Sequence, residues 1–239
     1  MQGHRYLKGR QLSTYVIDPP KQAALTVAGS DALFPVRRIY CIGRNYAEHA
    51  IEMGHDPNKE PPFFFQKNPD NIDSSGNFPY PPKTSDVHFE IEMVVALKSG
   101  GRNIALSNAL DHVFGYGIGL DMTRRDLQGE MKKMGRPWEI GKAFENSAPM
   151  GPLHMAAETG HIASGPIALH VNGALQQSGD INQMIWKVPE MIAYLSEYYE
   201  ITAGDLIMSG TPAGVGPISR GDEMVGSVAG LGELTVKVV

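Results

Sequence analysis

Two glutamates stand one residue apart in the run VHFEIEMVVAL. The period of two in a strand puts His88, Glu90 and Glu92 on one face and Phe89, Ile91 and Met93 on the other. Two carboxylates leaning into one space repel unless each is solvated or both share a cation, and a hard divalent ion with oxygen ligands removes the conflict. A half-exposed strand carrying solvated acids would show the same alternation. The run VFGYGIGLD adds a second signal. Gly115, Gly117 and Gly119 share a face with Asp121, so one side of that strand is stripped of side chains. Either a ligand or another backbone must approach it closely. Asp121 at its end is then within reach of a metal, and Glu90, Glu92 and Asp121 form the expected ligand set.

His49 and Glu52 are three residues apart in NYAEHAIEMG, which makes them neighbours on a helix surface. A carboxylate on one ring nitrogen would orient the imidazole and leave the other nitrogen to take a proton from water. The same spacing also makes ordinary surface pairs. Lys142 in WEIGKAF and Lys67 in FFFQK each follow apolar residues. Each is either a snorkelling surface lysine or a cation presented to a substrate carboxylate. SGTPAGVGP, with Thr211 between Gly210 and Pro212, reads as a rigid turn whose backbone amides can face an anion, although it lacks the spacing and the lysine of a phosphate-binding loop.

The elements that must position these residues are short. Twenty-seven glycines and 17 prolines in 239 residues favour many strands and turns over long helices, so the fold is expected to be α+β and β-rich. Residues 1 to about 10 read as a frayed leader, with strands starting near Tyr15. The stretches 23–28 and 37–42 suggest an N-terminal hairpin. Asn45 caps a helix of two to three turns that ends at Gly54. PPFFFQK is a buried strand, followed to Thr84 by a long loop of the kind that forms a lid or binding loop. Val87–Leu97 and Val113–Leu120 are strands, and Ser107–His112 and TRRDLQGEMKKMG are helical. Asn172-Gly173 marks a tight hairpin turn. Pro189 opens a helix with Ile192, Leu195 and Tyr199 on its apolar stripe, and the chain closes in strands. No repeat or low-complexity linker divides it. Residues 1–36 are expected as leader and strand extension, and residues 37–239 as one catalytic domain.

Composition limits the partners. A formal charge of −5 provides no basic stripe for nucleic acid or an anionic membrane. No apolar run reaches the roughly 20 residues that span a bilayer, and the start MQGHRYLKGR lacks the apolar segment of a signal peptide. A cytoplasmic location is expected. The single cysteine, Cys41, leaves any metal to oxygen or nitrogen ligands.

Taken together, GRNYAEHAIEMG, HFEIEMVV, GLDMTRRDLQ, WEIGKAFENSAPMGP, VNGALQQSG and SGTPAGVGP resemble the fumarylacetoacetate hydrolase family, in particular its small single-domain members, from about Arg37 to the C-terminus. Within it, FPVRRIYCIGRNYAEHA and DPNKEPPFFFQK are most similar to the fumarylpyruvate hydrolases of gentisate breakdown. The resemblance implies a mixed β-sandwich roll with a few short helices and a homodimer. It implies Mg²⁺ or Mn²⁺ on Glu90, Glu92 and Asp121, with Ca²⁺ as a crystal substitute. It also implies a water-activating dyad of His49 and Glu52, with Lys142, Gln128, Arg44 and Thr211 around a small diketo acid. Lys67 and Gly210 join this set as substrate-binding candidates from the lysine and turn readings above. Where relatives often read Lys-Pro after the aromatic strand, this chain has Lys67-Asn68-Pro69. The implied reaction is hydrolysis of a 2,4-diketo acid, such as fumarylpyruvate to fumarate and pyruvate. The same metal face would suit an oxaloacetate decarboxylase or an isomerase, and a non-enzymatic reading is a dimer that binds metal structurally.

Overall fold

The computed structural model describes residues 15–52 and 63–239, with the side chains of Ala50 and Glu52 outside that description. Its centre is a six-stranded mixed sheet. The strand order is His154–Met155, Val113–Leu120, Ile91–Leu97, Asp205–Met208, Arg38–Gly43 and Phe63–Lys67. Asp205–Met208 runs parallel to Arg38–Gly43, and the other pairings are antiparallel. Ile91–Leu97 is buried at every position because apolar residues occupy both of its faces, as a strand covered on two sides requires. Met93, Val95 and Leu97 join Tyr40, Ile42 and Ile207 in the larger core. Val94 and Ala96 join Ile39, Cys41, Leu206 and Met208 in the smaller one.

The larger core is closed by a second sheet, ordered Ala174–Asp180, Pro166–Val171, Glu223–Val228, Gly232–Val238 and Asn77–Phe78. It contributes Ile167, Leu169, Met224, Val228, Val236 and Val238. Two sheets packed face to face with a few short helices are the β-sandwich roll that the family resemblance implies. The Asn172-Gly173 turn is as expected, with both residues at positive φ, 49° and 78°, the requirement of a type I′ hairpin. The helix Val188–Tyr198 buries Val188, Met191, Ile192 and Leu195 against the same core.

The N-terminal hairpin differs from expectation. Ala24–Val27 pairs with Ser30–Pro35, not with the 37–42 stretch. Gly29, at φ 72°, closes a two-residue turn too tight to reach further along the chain. Arg38–Gly43 is apolar on both faces and therefore goes to the sheet interior. No strand begins near Tyr15, and Tyr15, Val16 and Ile17 are exposed. The helix after Asn45 is described over Ala47–Glu52. Its expected end at Gly54 lies outside the described residues, as does the leader. The loop expected from Asn68 onward is not a lid. A 3-10 turn at Pro69–Asn71 and short strands at Ile72–Asp73 and Asn77–Phe78 tie it down, and Phe78 is fully buried.

Candidate metal and active site

Glu90 breaks the regular strand. Val87–Phe89 pairs with Thr123–Arg124 and Gly216–Pro217 in a separate small sheet, whereas Ile91–Leu97 enters the central one. His88 therefore leaves the acidic face and lies 2.9 Å from Asp86. Glu92 faces Gly119 across the ladder, and Asp121 leaves the same partner strand just past Leu120. The Asp121 N–H donates to the Glu90 carbonyl at 2.8 Å, which fixes the chain reversal that turns both carboxylates inward. All three acids are buried, at 6%, 2% and 1% exposure for Glu90, Glu92 and Asp121. Each offers an oxygen, and these atoms lie within 4.8 Å of one another.

The glycine face does not receive a ligand. A Cβ on Gly115 would lie 2.1 Å from the His154 carbonyl oxygen, and one on Gly117 would lie 3.2 Å from that of Pro152. The stripped face is where the 150–155 segment of backbone crosses the sheet, the second of the two uses that glycines at alternate positions allow.

Basic groups surround the acids. Lys142 Nζ donates to Glu90 Oε2 at 2.9 Å and to Asp121 Oδ2 at 2.7 Å. Arg125 Nη2 reaches Glu90 Oε1 at 2.5 Å, and its Nη1 donates to Gln128 Oε1 at 2.8 Å. Lys142 points inward because its short helix, Glu139–Lys142, lies flush on Arg125–Met134. A Cβ on Gly141 would come within 2.9 Å of the Gln128 nitrogen. Lys67 is behind the cavity, not on its wall. Its ammonium is 2.9 Å from Asp121 Oδ1 and donates to the carbonyls of Met122 and Lys142.

The cavity in front of the acids is narrow, with a volume of about 40 Å³. His49, 6% exposed, is in its wall, along with Arg44, Gln128, Gly210 and Thr211. Of the dyad, only the imidazole is described. The Gly210 amide is already committed, donating to Glu92 Oε2 at 2.8 Å, so the anion held by the SGTPAG turn is the protein's own carboxylate. Gly210 itself sits at φ 92° with Asn45 packed against it. Thr211 Oγ1 accepts from Gln177 Nε2 at 2.8 Å.

Several residues of the site were not anticipated. Asn45, expected as a helix cap, instead donates to the carbonyls of Trp186 and Ser209 and accepts from the Trp186 amide. Gln177 braces Thr211 and accepts from the Ile91 amide at 3.0 Å. Phe63, Phe65, Arg125, Lys132 and Trp138 complete the wall. Arg125, Gln128 and Lys132 fall at i, i+3 and i+7, one face of a helix. That stripe was legible in TRRDLQGEMKK, but its polar residues suggest a solvent face.

Burial opposes ionisation of Glu90, yet Lys142, Arg125 and His49 outweigh it and hold its carboxyl well below the usual range. Glu92 goes the other way. Burial, then Asp121 and Glu90, push it well above that range, against the Gly210 N–H and the charge of Lys142. Asp121 Oδ1 is near Lys67 but receives no hydrogen bond of acceptable geometry. A carboxylate without a cation of its own and a buried oxygen without a donor both fit a hard divalent ion. Two oxygens on such an ion, at roughly 2.0–2.6 Å each, sit no more than about 4–5 Å apart, the spacing observed here.

The family model described as "Fumarylacetoacetate (FAA) hydrolase C-terminal" matches residues 38–239. A fumarylpyruvate hydrolase from Ralstonia sp. is 41% identical over 184 residues, covering 77% of this chain and 95% of the relative. An oxaloacetate tautomerase from Escherichia coli strain K12 is 40% identical over 192 residues, covering 80% and 88%. Among solved structures, the fumarylpyruvate hydrolase from Pseudomonas aeruginosa in complex with Mn²⁺ and pyruvate superposes with a TM-score of 0.93 at 52% identity. That match covers 95% of this chain and 99% of the other.

Proposed function

The chain belongs to the fumarylacetoacetate hydrolase family, and from that premise we propose that it is a metal-dependent hydrolase of 2,4-diketo acids. Its favoured substrate is fumarylpyruvate, cleaved to fumarate and pyruvate in aromatic breakdown. The observation that carries this reading is the meeting of three buried carboxylates and His49 in the wall of one cavity. Glu90, Glu92 and Asp121 would hold Mg²⁺ or Mn²⁺. When bound, such an ion supplies a Lewis acid and a template for the carboxylate and 2-oxo group of the substrate.

The chain's own groups do the rest. His49, oriented by Glu52, takes a proton from water, and the hydroxide so formed attacks the 4-oxo carbon. Collapse of the tetrahedral species breaks the C3–C4 bond, releasing the distal acid and leaving the electron pair on C3 of pyruvate as its enolate, which takes up at C3 the proton that His49 removed from water. Lys142 and Gln128 face the reacting region and offset developing negative charge. Arg44 and Thr211 line the same space and position the substrate. A homodimer in the cytoplasm, acting on a free small molecule, completes the reading. No helix among the described residues is long and apolar enough to cross a membrane.

A second reading, tautomerisation or decarboxylation of oxaloacetate, draws on the E. coli relative. Those reactions need no activated water, so a histidine in the cavity wall favours hydrolysis. The deciding experiment follows diketo absorbance and pyruvate release on fumarylpyruvate and acetylpyruvate, alongside oxaloacetate conversion, with Mn²⁺ or with chelator. Metal-dependent loss of absorbance with stoichiometric pyruvate is expected. Conversion of oxaloacetate with both diketo acids untouched would overturn the hydrolase reading.

A further inference from the structure

The cavity wall carries four guanidinium or ammonium groups, Arg44, Arg125, Lys132 and Lys142, against three carboxylates. A divalent ion would tip that balance further. Arg125 and Lys142 are bound to the acids. Lys132 is not. Among the described residues no carboxylate pairs with it, and its nearest recorded partner is the Trp138 ring, 5.9 Å from the ammonium. Burial, then the neighbouring charges of Arg44 and Arg125, hold its pKa below the ordinary lysine value, as happens to a cation drawn into company of its own sign.

Its position is specific. Lys132 is two helical turns beyond Arg125 on the same face, roughly 10 Å along the axis, with Gln128 between them. The acids and Arg125 stand at one end of this stripe and Lys132 at the other. Trp138 packs edge-on against Phe63 at 5.3 Å, and Arg44 lies over the Phe63 ring at 4.9 Å. One cavity therefore holds the carboxylate cluster, these aromatic rings and a cation with no carboxylate partner among the described residues.

We propose that Lys132 is a specificity-determining residue that receives a second carboxylate, at the far end of the substrate, so that the site selects dicarboxylic 2-oxo acids over their monocarboxylic counterparts. This rests on the reading that the near end of the ligand is a 2-oxo acid held at Glu90, Glu92 and Asp121. The distal acyl chain would lie along Phe63 and Trp138.

The test compares two unreactive seven-carbon probes, 2-oxoheptanedioate and 2-oxoheptanoate, which differ only in the terminal carboxylate. Binding is measured by calorimetry on the full-length Mn²⁺-loaded protein. The wild type is expected to prefer the diacid by at least about tenfold, the value of one charge-assisted contact. Lys132→Met should reduce that preference below about threefold and leave monoacid affinity unchanged, and Lys132→Arg should retain it. Equal affinity of the wild type for both probes, no binding of the diacid, or equal loss of both probes in Lys132→Met would overturn the proposal. Turnover of fumarylpyruvate is scored separately. A wild type that prefers the diacid but cleaves no diketo acid would sink the hydrolase reading and leave this one standing.

Discussion

At the scale of single residues, the charges in the site divide into those that face the cavity and those that hold it from behind. His49 faces it, and His49→Ala should lower turnover by about 10²–10⁴, the usual contribution of a general base, with Mn²⁺ binding retained in calorimetry. Unchanged turnover would remove the imidazole from the mechanism. Lys67 belongs to the other group. Its ammonium is buried against Asp121 and two carbonyls, so Lys67→Met strands buried polar groups and should cost about 3–5 kcal/mol. The melting temperature should fall by roughly 6–20 °C. A rise in KM with melting unchanged would return Lys67 to the substrate. The acidic cluster was legible because each acid is an anomaly in an apolar run, whereas the side of the cavity on which Lys67 lies was not. FFFQK has the same spelling whether its lysine points at substrate or under a carboxylate, and only the pairing of Lys67 with Ile39 fixes the side.

At the scale of elements, the site depends on how closely two short helices approach. Gly141 lets Glu139–Lys142 touch Arg125–Met134 at Gln128, which sets the distance between Lys142 and Gln128. Gly141→Ala would place a methyl group within 2.9–3.0 Å of Gln128 backbone and Cβ atoms. Overpacking of this kind costs about 1–3 kcal/mol, and the shift should lower kcat while leaving Mn²⁺ affinity near that of the wild type, since Glu90, Glu92 and Asp121 stand on other elements. Wild-type melting and kcat would show that the helices slide apart without consequence. Periodicity found most of the helices and strands, although it ran Val87–Leu97 through the break at Glu90. It misassigned the N-terminal hairpin because a two-residue turn at Gly29 outranks apolar similarity between distant stretches. It left open whether a ligand or another backbone approaches the glycines of Val113–Leu120, because glycine records close approach without naming what approaches.

At the scale of the whole molecule, folding gathers like charges that lie far apart in the chain. Glu90 comes from the break just before a central strand, Glu92 from within that strand, Asp121 from the end of its neighbour, and the Gly210 amide that steadies Glu92 from a turn near the C-terminus. The unfolded chain holds no such arrangement, so an ion that binds the three carboxylates binds the native state alone and must stabilise it. At a hundredfold excess over its dissociation constant the gain is about 2.7 kcal/mol. For a chain of this length that is roughly 5–10 °C in melting temperature. Addition of Mn²⁺ to chelator-treated protein should produce that rise, and excess chelator should reverse it. Asp121→Asn removes one anionic ligand from the set and should abolish most of the shift, while Lys132→Met, at the far end of the cavity, should keep it whole. A melting curve of the wild type indifferent to Mn²⁺ and Mg²⁺ would mean that Lys142 and Arg125 already satisfy the acids, and that the cluster is an ion-pair network inside the fold with no metal to hold.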